Sequence, residues 1–203
     1  MSTKQNHKLI LTDADGVILD WEKRFHVWME ERGFRVDWDL KTDYQLAPMY
    51  GMSNNRAKEL IVEFNNSGAM VDIPAFRDSR SGVAMLVESG YQFICITSVS
   101  LNPVVKKLRL QNLENIFGKD VFVDLICLDT GADKDAALLP YKGSKLWWLE
   151  DKWENAVAGF NVGLRCIIVD HSHNRGLEHD GIFRCRNWKE IHALITECDM
   201  MTN

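Results

Sequence analysis

Leu9-Ile10-Leu11-Thr12-Asp13-Ala14-Asp15-Gly16-Val17-Ile18 opens as a short apolar run and ends in two carboxylates one residue apart, followed by a glycine. A short apolar run of this kind is the pattern of a strand buried on both faces, as in a parallel sheet. Side chains at i and i+2 of a strand point the same way. Asp13 and Asp15 therefore leave the carboxyl end of this strand together, beside a loop that Gly16 lets turn sharply. In open parallel sheets that edge is where ligands bind. Two carboxylates held close repel unless a cation or a shared proton intervenes, and a hard divalent cation such as Mg²⁺ suits oxygen ligands. The plainer reading is that Asp-x-Asp-Gly is only turn chemistry.

Outward from this stretch, strands and helices alternate. Trp21, Phe25, Trp28 and Met29 recur at helical spacing and predict a helix over 21–33. A second helix is expected from Ser53 through Ala57, Leu60, Ile61 and Phe64. Between Trp21 and Pro74 no stretch reads as a strand, and crossovers are normally far shorter. Residues 19–74 are therefore expected to form a small helical cap, inserted after the first strand into a core made of 1–18 and 75–203. Further strands are predicted over 91–98, 121–128, 146–151 and 164–169, with a short edge strand at 182–185. Helices are expected over 77–90, 104–117, 134–139, 153–160 and 188–197. This order predicts an α/β, Rossmann-like, three-layer fold around a parallel sheet.

The 203 residues suit one domain with an insertion, and 46% hydrophobic content suffices for a core. Net charge is −5 with no basic block, so nothing favours a nucleic-acid polymer as partner. Five cysteines, an odd number without a C-x-x-C, read as reduced thiols of a cytoplasmic protein. The polar start at 1–7 lacks a signal-peptide core, and no apolar run is long enough to span a bilayer.

Three strands end in polar clusters: Asp13/Asp15, Thr97/Ser98 and Glu150/Asp151, with Lys134 just upstream of the last. A parallel sheet brings all three to one edge. Here the chain resembles the haloacid dehalogenase (HAD) superfamily of phosphoryl-transfer enzymes. Asp13-Ala14-Asp15-Gly16-Val17 resembles the first motif, Thr97 after Phe93-Ile94-Cys95-Ile96 the second, and Glu150-Asp151 the fourth, continuing through Ala158-Gly159 and Val162-Gly163. Lys134 is the best match to the motif lysine, with Lys107, Lys142 and Lys145 as rivals. A narrower similarity, to 5′(3′)-deoxyribonucleotidases, rests on Trp21-Glu22, Ile94-Cys95-Ile96-Thr97-Ser98, Asp133-Lys134, His173-Asn174-Arg175 and Asn187-Trp188-Lys189-Glu190-Ile191. It departs at Val99, at Glu150 and at Gly131-Ala132, where that family has proline, aspartate and an arginine.

The resemblance implies Asp13 as nucleophile, Asp15 as general acid and base, Thr97 as a phosphoryl ligand and Lys134 as the charge-balancing ammonium. It implies Mg²⁺ held by Asp13, Asp151 and the main-chain carbonyl of Asp15, with Glu150 as a further ligand or a group behind the ligands. Ser98 and the loop at Gly16 would contact a small phosphorylated metabolite, and Trp21 would stack on the base of a nucleotide. The oligomeric state is left open.

The remaining features have plainer expectations. His171 and His173 read as solvated in a polar loop that Asn174-Arg175 stabilises. Lys106, Lys107 and Arg109 read as a solvated helix face. Trp147 and Trp148 read as core, as do Trp28 and Trp38 within the cap. Rival functions are a phosphatase of another metabolite, a phosphorylatable receiver-type switch, which would lack the long insertion, and a catalytically silent binding module.

Overall fold

The computed structural model describes residues 8–40 and 45–201; the polar start 1–7 and part of the turn-rich stretch, 41–44, lie outside the described residues. The opening apolar run forms β1 (Lys8–Thr12), which lies inside a six-stranded sheet. The others are β2 (Tyr91–Ser98), β3 (Phe122–Leu128), β4 (Trp147–Glu150), β5 (Arg165–Val169) and β6 (Ile182–Cys185). Their order is β3-β2-β1-β4-β5-β6, and every pairing is parallel. Alternation across the pleat fills both faces of the sheet. Ile10, Phe93, Trp147 and Leu149 enter one core cluster, against α3 (Ser79–Glu88), α4 (Pro103–Phe117) and α7 (Trp188–Met201). Leu11, Ile94, Trp148 and Cys166 enter the other, against α5 (Asp135–Leu138) and α6 (Trp153–Asn161). The adjacent Trp147 and Trp148 thus serve opposite layers. Helices on both sides of a parallel sheet make the expected three-layer fold.

Between β1 and α3 the chain makes α1 (Trp21–Glu30) and α2 (Asn54–Asn65), joined by short 3-10 turns. Each helix starts where its sequence supplies a cap: Asp20 Oδ1 accepts from Lys23 N, and Ser53 Oγ from Arg56 N. Phe25 and Trp28 each meet Phe64 edge-on between the two helices, with ring centroids 5.4 and 5.5 Å apart. The two connections to the core run side by side, bridged antiparallel at Leu19 and Ala75 and bonded from Asp20 N to Pro74 O and from Phe76 N to Ile18 O. α2 then reaches the loops beyond β2 and β3, where Ser100 Oγ donates to Asn66 Oδ1 (2.9 Å) and Asn65 Nδ2 to Thr130 Oγ1 (3.4 Å). Among the described residues, no helix is long and apolar enough to cross a membrane.

Candidate active site

Parallel pairing does the first work of the site. Thr12 lies in register with Cys95 of β2 and Leu149 of β4, so the residues that follow all emerge at one edge. Asp13 N donates to Leu149 O, which fixes the turn out of β1, and Asp13 Oδ1 accepts from Ala14 N at 2.7 Å. Lys134, at the amino end of α5, lies buried beneath, with Nζ 2.8 Å from Asp13 Oδ1 and 2.7 Å from Glu150 Oε2. Of the four candidate lysines only Lys134 is buried; Lys107, Lys142 and Lys145 are exposed. Burial alone would lower its pKa, but the two carboxylates outweigh this and raise it, so it stays an ammonium.

Glu150 is fully buried. Its Oε2 pairs with Lys134 and its Oε1 accepts from Lys152 N at 3.0 Å. Burial raises its pKa, with Lys134 opposing and Asp13 adding to the rise. Asp151 presents its carboxylate beside Gly16: a Cβ built on Gly16 would lie 2.4 Å from Asp151 Oδ2, and Gly16 has φ +77°. The glycine is thus required both by its turn and by the approach of this carboxylate. Burial, then the charges of Glu150 and Asp13, hold the Asp151 carboxyl well above the ordinary range.

One ligand oxygen each from Asp13, Glu150 and Asp151 lie within 4.8 Å of one another. Three crowded carboxylates served by one ammonium have the chemistry of a hard-cation site. Both Glu150 oxygens are engaged, Oε2 by Lys134 and Oε1 by Lys152 N, whereas among the described residues the side-chain bonds of Asp13 fall on Oδ1. The carboxylates best placed to hold Mg²⁺ are therefore those of Asp13 and Asp151, and the ion would balance their charge. Thr97 Oγ1 is buried near the end of β2, the strand paired with β1, without a hydrogen-bond partner among the described residues. A buried hydroxyl left unpaired is costly, and an oxyanion would satisfy it. Ser98 Oγ instead donates to Ala132 O at 2.7 Å, tying the loop after β2 to the one after β3.

Three expectations change. Arg109 is not on a solvated face: it is fully buried, with Nη2 2.9 Å from Asp15 Oδ2 and Nη1 2.8 Å from Asp15 Oδ1. The signal was present in sequence, because Arg109 lies four residues from both Val105 and Leu113 on the buried stripe of α4. His171 and His173 are not solvated either. His171 Nε2 donates to Gly16 O at 2.7 Å and His173 Nε2 to Asp151 O at 3.0 Å, so each steadies a loop of the site. Burial lowers the His171 pKa to about 4, keeping the imidazole neutral. Asn174 adds a bond from Nδ2 to Asp151 O, as expected of a residue that stabilises that loop. Finally, Trp38 is not in the cap core but 56% exposed. The Trp21 ring stacks on Phe25 at 4.8 Å, its edge meets Phe64, and Nε1 donates to Asn65 Oδ1. It remains half-buried within the packing of the insertion.

No family model and no curated protein matches the sequence, whereas many solved structures match the fold. A haloacid dehalogenase-like hydrolase from Streptococcus pneumoniae superposes with a TM-score of 0.64 at 13% identity, covering 93% of this chain and 98% of that one. The fold is that of the HAD-like hydrolases. An L-2-haloacid dehalogenase shares this HAD-like fold at a TM-score of 0.61 and 14% identity, over 93% of this chain and 99% of that one. So does a D,D-heptose bisphosphate phosphatase from B. bronchiseptica, complexed with magnesium and phosphate, at a TM-score of 0.57 and 12% identity, over 94% and 98%.

Proposed function

We propose that this chain is a Mg²⁺-dependent phosphate monoester hydrolase working through an aspartyl-phosphate on Asp13, with a nucleoside monophosphate as its substrate. The observation that carries the reaction class is the second carboxylate, Asp15, beside a nucleophile held by Lys134. A halide departs without a proton, whereas an alkoxide leaving from phosphorus needs one, and Asp15 is the acid at hand. Asp13 attacks phosphorus, Thr97 donates to a phosphoryl oxygen, and Lys134 balances the charge. Asp15 then takes a proton from the water that hydrolyses the intermediate. Asp13, Asp151 and the main-chain carbonyl of Asp15 would hold Mg²⁺, which supplies charge neutralisation when bound.

The helical insertion acts as the cap in this reading, reaching the site through Asn65 and Asn66. The nucleotide rests on Trp21, whose indole is anchored by Asn65 at the start of α1. Its stacking on Phe25 favours a second reading, in which Trp21 is cap packing and the substrate is another small phosphorylated metabolite. The test is phosphate release, with Mg²⁺, from a panel of nucleoside monophosphates, sugar phosphates and p-nitrophenyl phosphate. The expected result is turnover that favours nucleotides and falls at least about 1,000-fold in Asp13→Asn. No turnover of any ester, or full activity in Asp13→Asn, overturns the reaction; a preference for sugar phosphates overturns the nucleotide.

A further inference from the structure

We infer that Arg109 is a positioning residue for proton transfer: its guanidinium holds the Asp15 carboxylate in the orientation from which it serves the leaving group. The inference rests on the phosphatase reading above and adds to it a residue outside the strand ends. Arginine is almost never fully buried unless paired, and Arg109 has no exposed surface. Its one charged partner among the described residues is Asp15: Nη2 donates to Oδ2 at 2.9 Å, and Nη1 lies 2.8 Å from Oδ1, an ion-pair contact without hydrogen-bond geometry. A planar guanidinium that hydrogen-bonds one oxygen and lies against the other limits the rotation of the carboxylate more than a point ammonium does.

The clamp acts from one side only. Asp15 keeps 25% of its side chain exposed, while the guanidinium beneath it is sealed. Each carboxylate oxygen has more than one lone pair, so the fork leaves room for the proton that Asp15 must carry. In the first step an Asp13 oxygen bonds to phosphorus as the ester P–O bond breaks. The electron pair of that bond goes to the leaving oxygen, which takes the proton from Asp15, and Asp15 ends as a carboxylate against Arg109.

The arginine is itself held. α4 is capped by Asn102 at Val104 N, Val105 and Leu113 lie in the core, and Asn112 donates to Val71 O and Ile73 O at the base of the insertion. A purely structural role explains the pair less well. A buried ion pair is often replaceable by apolar packing without loss, and Arg109 Nε and Nη1 both lie buried without a hydrogen-bond partner among the described residues. The one hydrogen bond of its guanidinium among the described residues goes to Asp15.

The test compares kcat/KM, which covers the steps through departure of the leaving group, for an alkyl phosphate and for p-nitrophenyl phosphate. p-Nitrophenolate leaves without a proton, so general-acid positioning matters for the alkyl ester. Arg109→Met should lower kcat/KM at least about 30-fold for the alkyl ester and under about 5-fold for the aryl ester, while Arg109→Lys recovers part of the selective loss. Asp15→Asn should show the same selectivity more strongly. An equal fall on both esters, no fall, or a gain overturns the inference. If Arg109→Met does not fold, Arg109→Lys, which keeps the buried charge, carries the same comparison with the same outcomes. Should wild type hydrolyse neither ester, or Asp13→Asn remain active, it is the phosphatase reading that fails. Selective loss in Asp15→Asn without it in either Arg109 variant removes Arg109 alone.

Discussion

Lys134 is the residue on which the site's charge balance turns. It is buried between Asp13 and Glu150, so removing it leaves carboxylates in a place where charge is expensive. Lys134→Met should cost about 3–5 kcal/mol in urea unfolding. The double variant Lys134→Met/Glu150→Gln should regain about 1–3 kcal/mol of that, because one uncompensated charge goes with its partner. Gly16 is constrained differently. An alanine there meets a left-handed φ, worth about 1–2 kcal/mol, and forces the Asp151 carboxylate aside. Gly16→Ala should therefore harm function more than folding: the Mg²⁺ concentration for half-maximal turnover should rise while the unfolding midpoint moves modestly. An unchanged Mg²⁺ requirement would show that Asp151 does not bind the ion where Gly16 makes room for it.

At the scale of elements, α1 and α7 carry separable roles. α1 begins at Trp21, and stacking on a base is worth about 1–3 kcal/mol. Trp21→Ala should raise KM for nucleoside monophosphates roughly 5- to 150-fold on that scale, with much less effect on p-nitrophenyl phosphate. An equal loss on both would assign Trp21 to packing with Phe25 and Phe64. α7 is fastened to the amino edge of the sheet by Asp199, which accepts from Tyr91 Oη (2.6 Å), Arg165 Nη1 (2.6 Å) and Trp147 Nε1 (3.4 Å), residues at the starts of β2, β5 and β4. Burial would raise the Asp199 carboxyl, but the bonds from Tyr91 and Arg165 outweigh it and hold it below its ordinary value. A depressed folded pKa contributes stability above the unfolded value and loses it as pH falls through the folded one. Asp199→Asn should thus cost about 1–3 kcal/mol at pH 7. The difference from wild type in unfolding midpoint should close as pH drops below about 3.9. A gap that persists in acid would mean that shape rather than charge anchors the helix.

For the whole molecule, the proposed ion would join the ends of β1 and β4 and relieve the crowding of Asp13, Glu150 and Asp151. A ligand that binds only the folded state at 100 times its Kd stabilises by about 2.7 kcal/mol. For a chain of this size that is a rise in Tm of about 5–10 °C. Mg²⁺ should produce it in wild type, EDTA should abolish it, and Asp151→Asn should show almost none. A chain whose Tm ignores Mg²⁺ would argue against the acidic cluster as its site.

The sheet could be read from the sequence because its signal is local. Apolar runs such as Leu9–Leu11 and Phe93–Ile96 name strands buried on both faces, and Ser53 names the start of α2. Parallel pairing then requires Asp13, Thr97 and Glu150-Asp151 to share an edge, whatever lies between them. The choice among four lysines was different: the sequence ranks Lys134 ahead of Lys107, Lys142 and Lys145 only by its match to a motif, and burial between two carboxylates is the physical feature that singles it out. Arg109 looks solvated beside Lys106 and Lys107 until α4 is laid on the sheet and its stripe through Val105 and Leu113 turns inward. His171 and His173 have partners at Gly16 and Asp151, brought to them by other strands of the sheet and not by their own segment. Local pattern therefore determined the elements and the edge that carries the chemistry. Which charged side chains are sealed against that edge is a property of packing, since desolvation depends on neighbours remote in the chain.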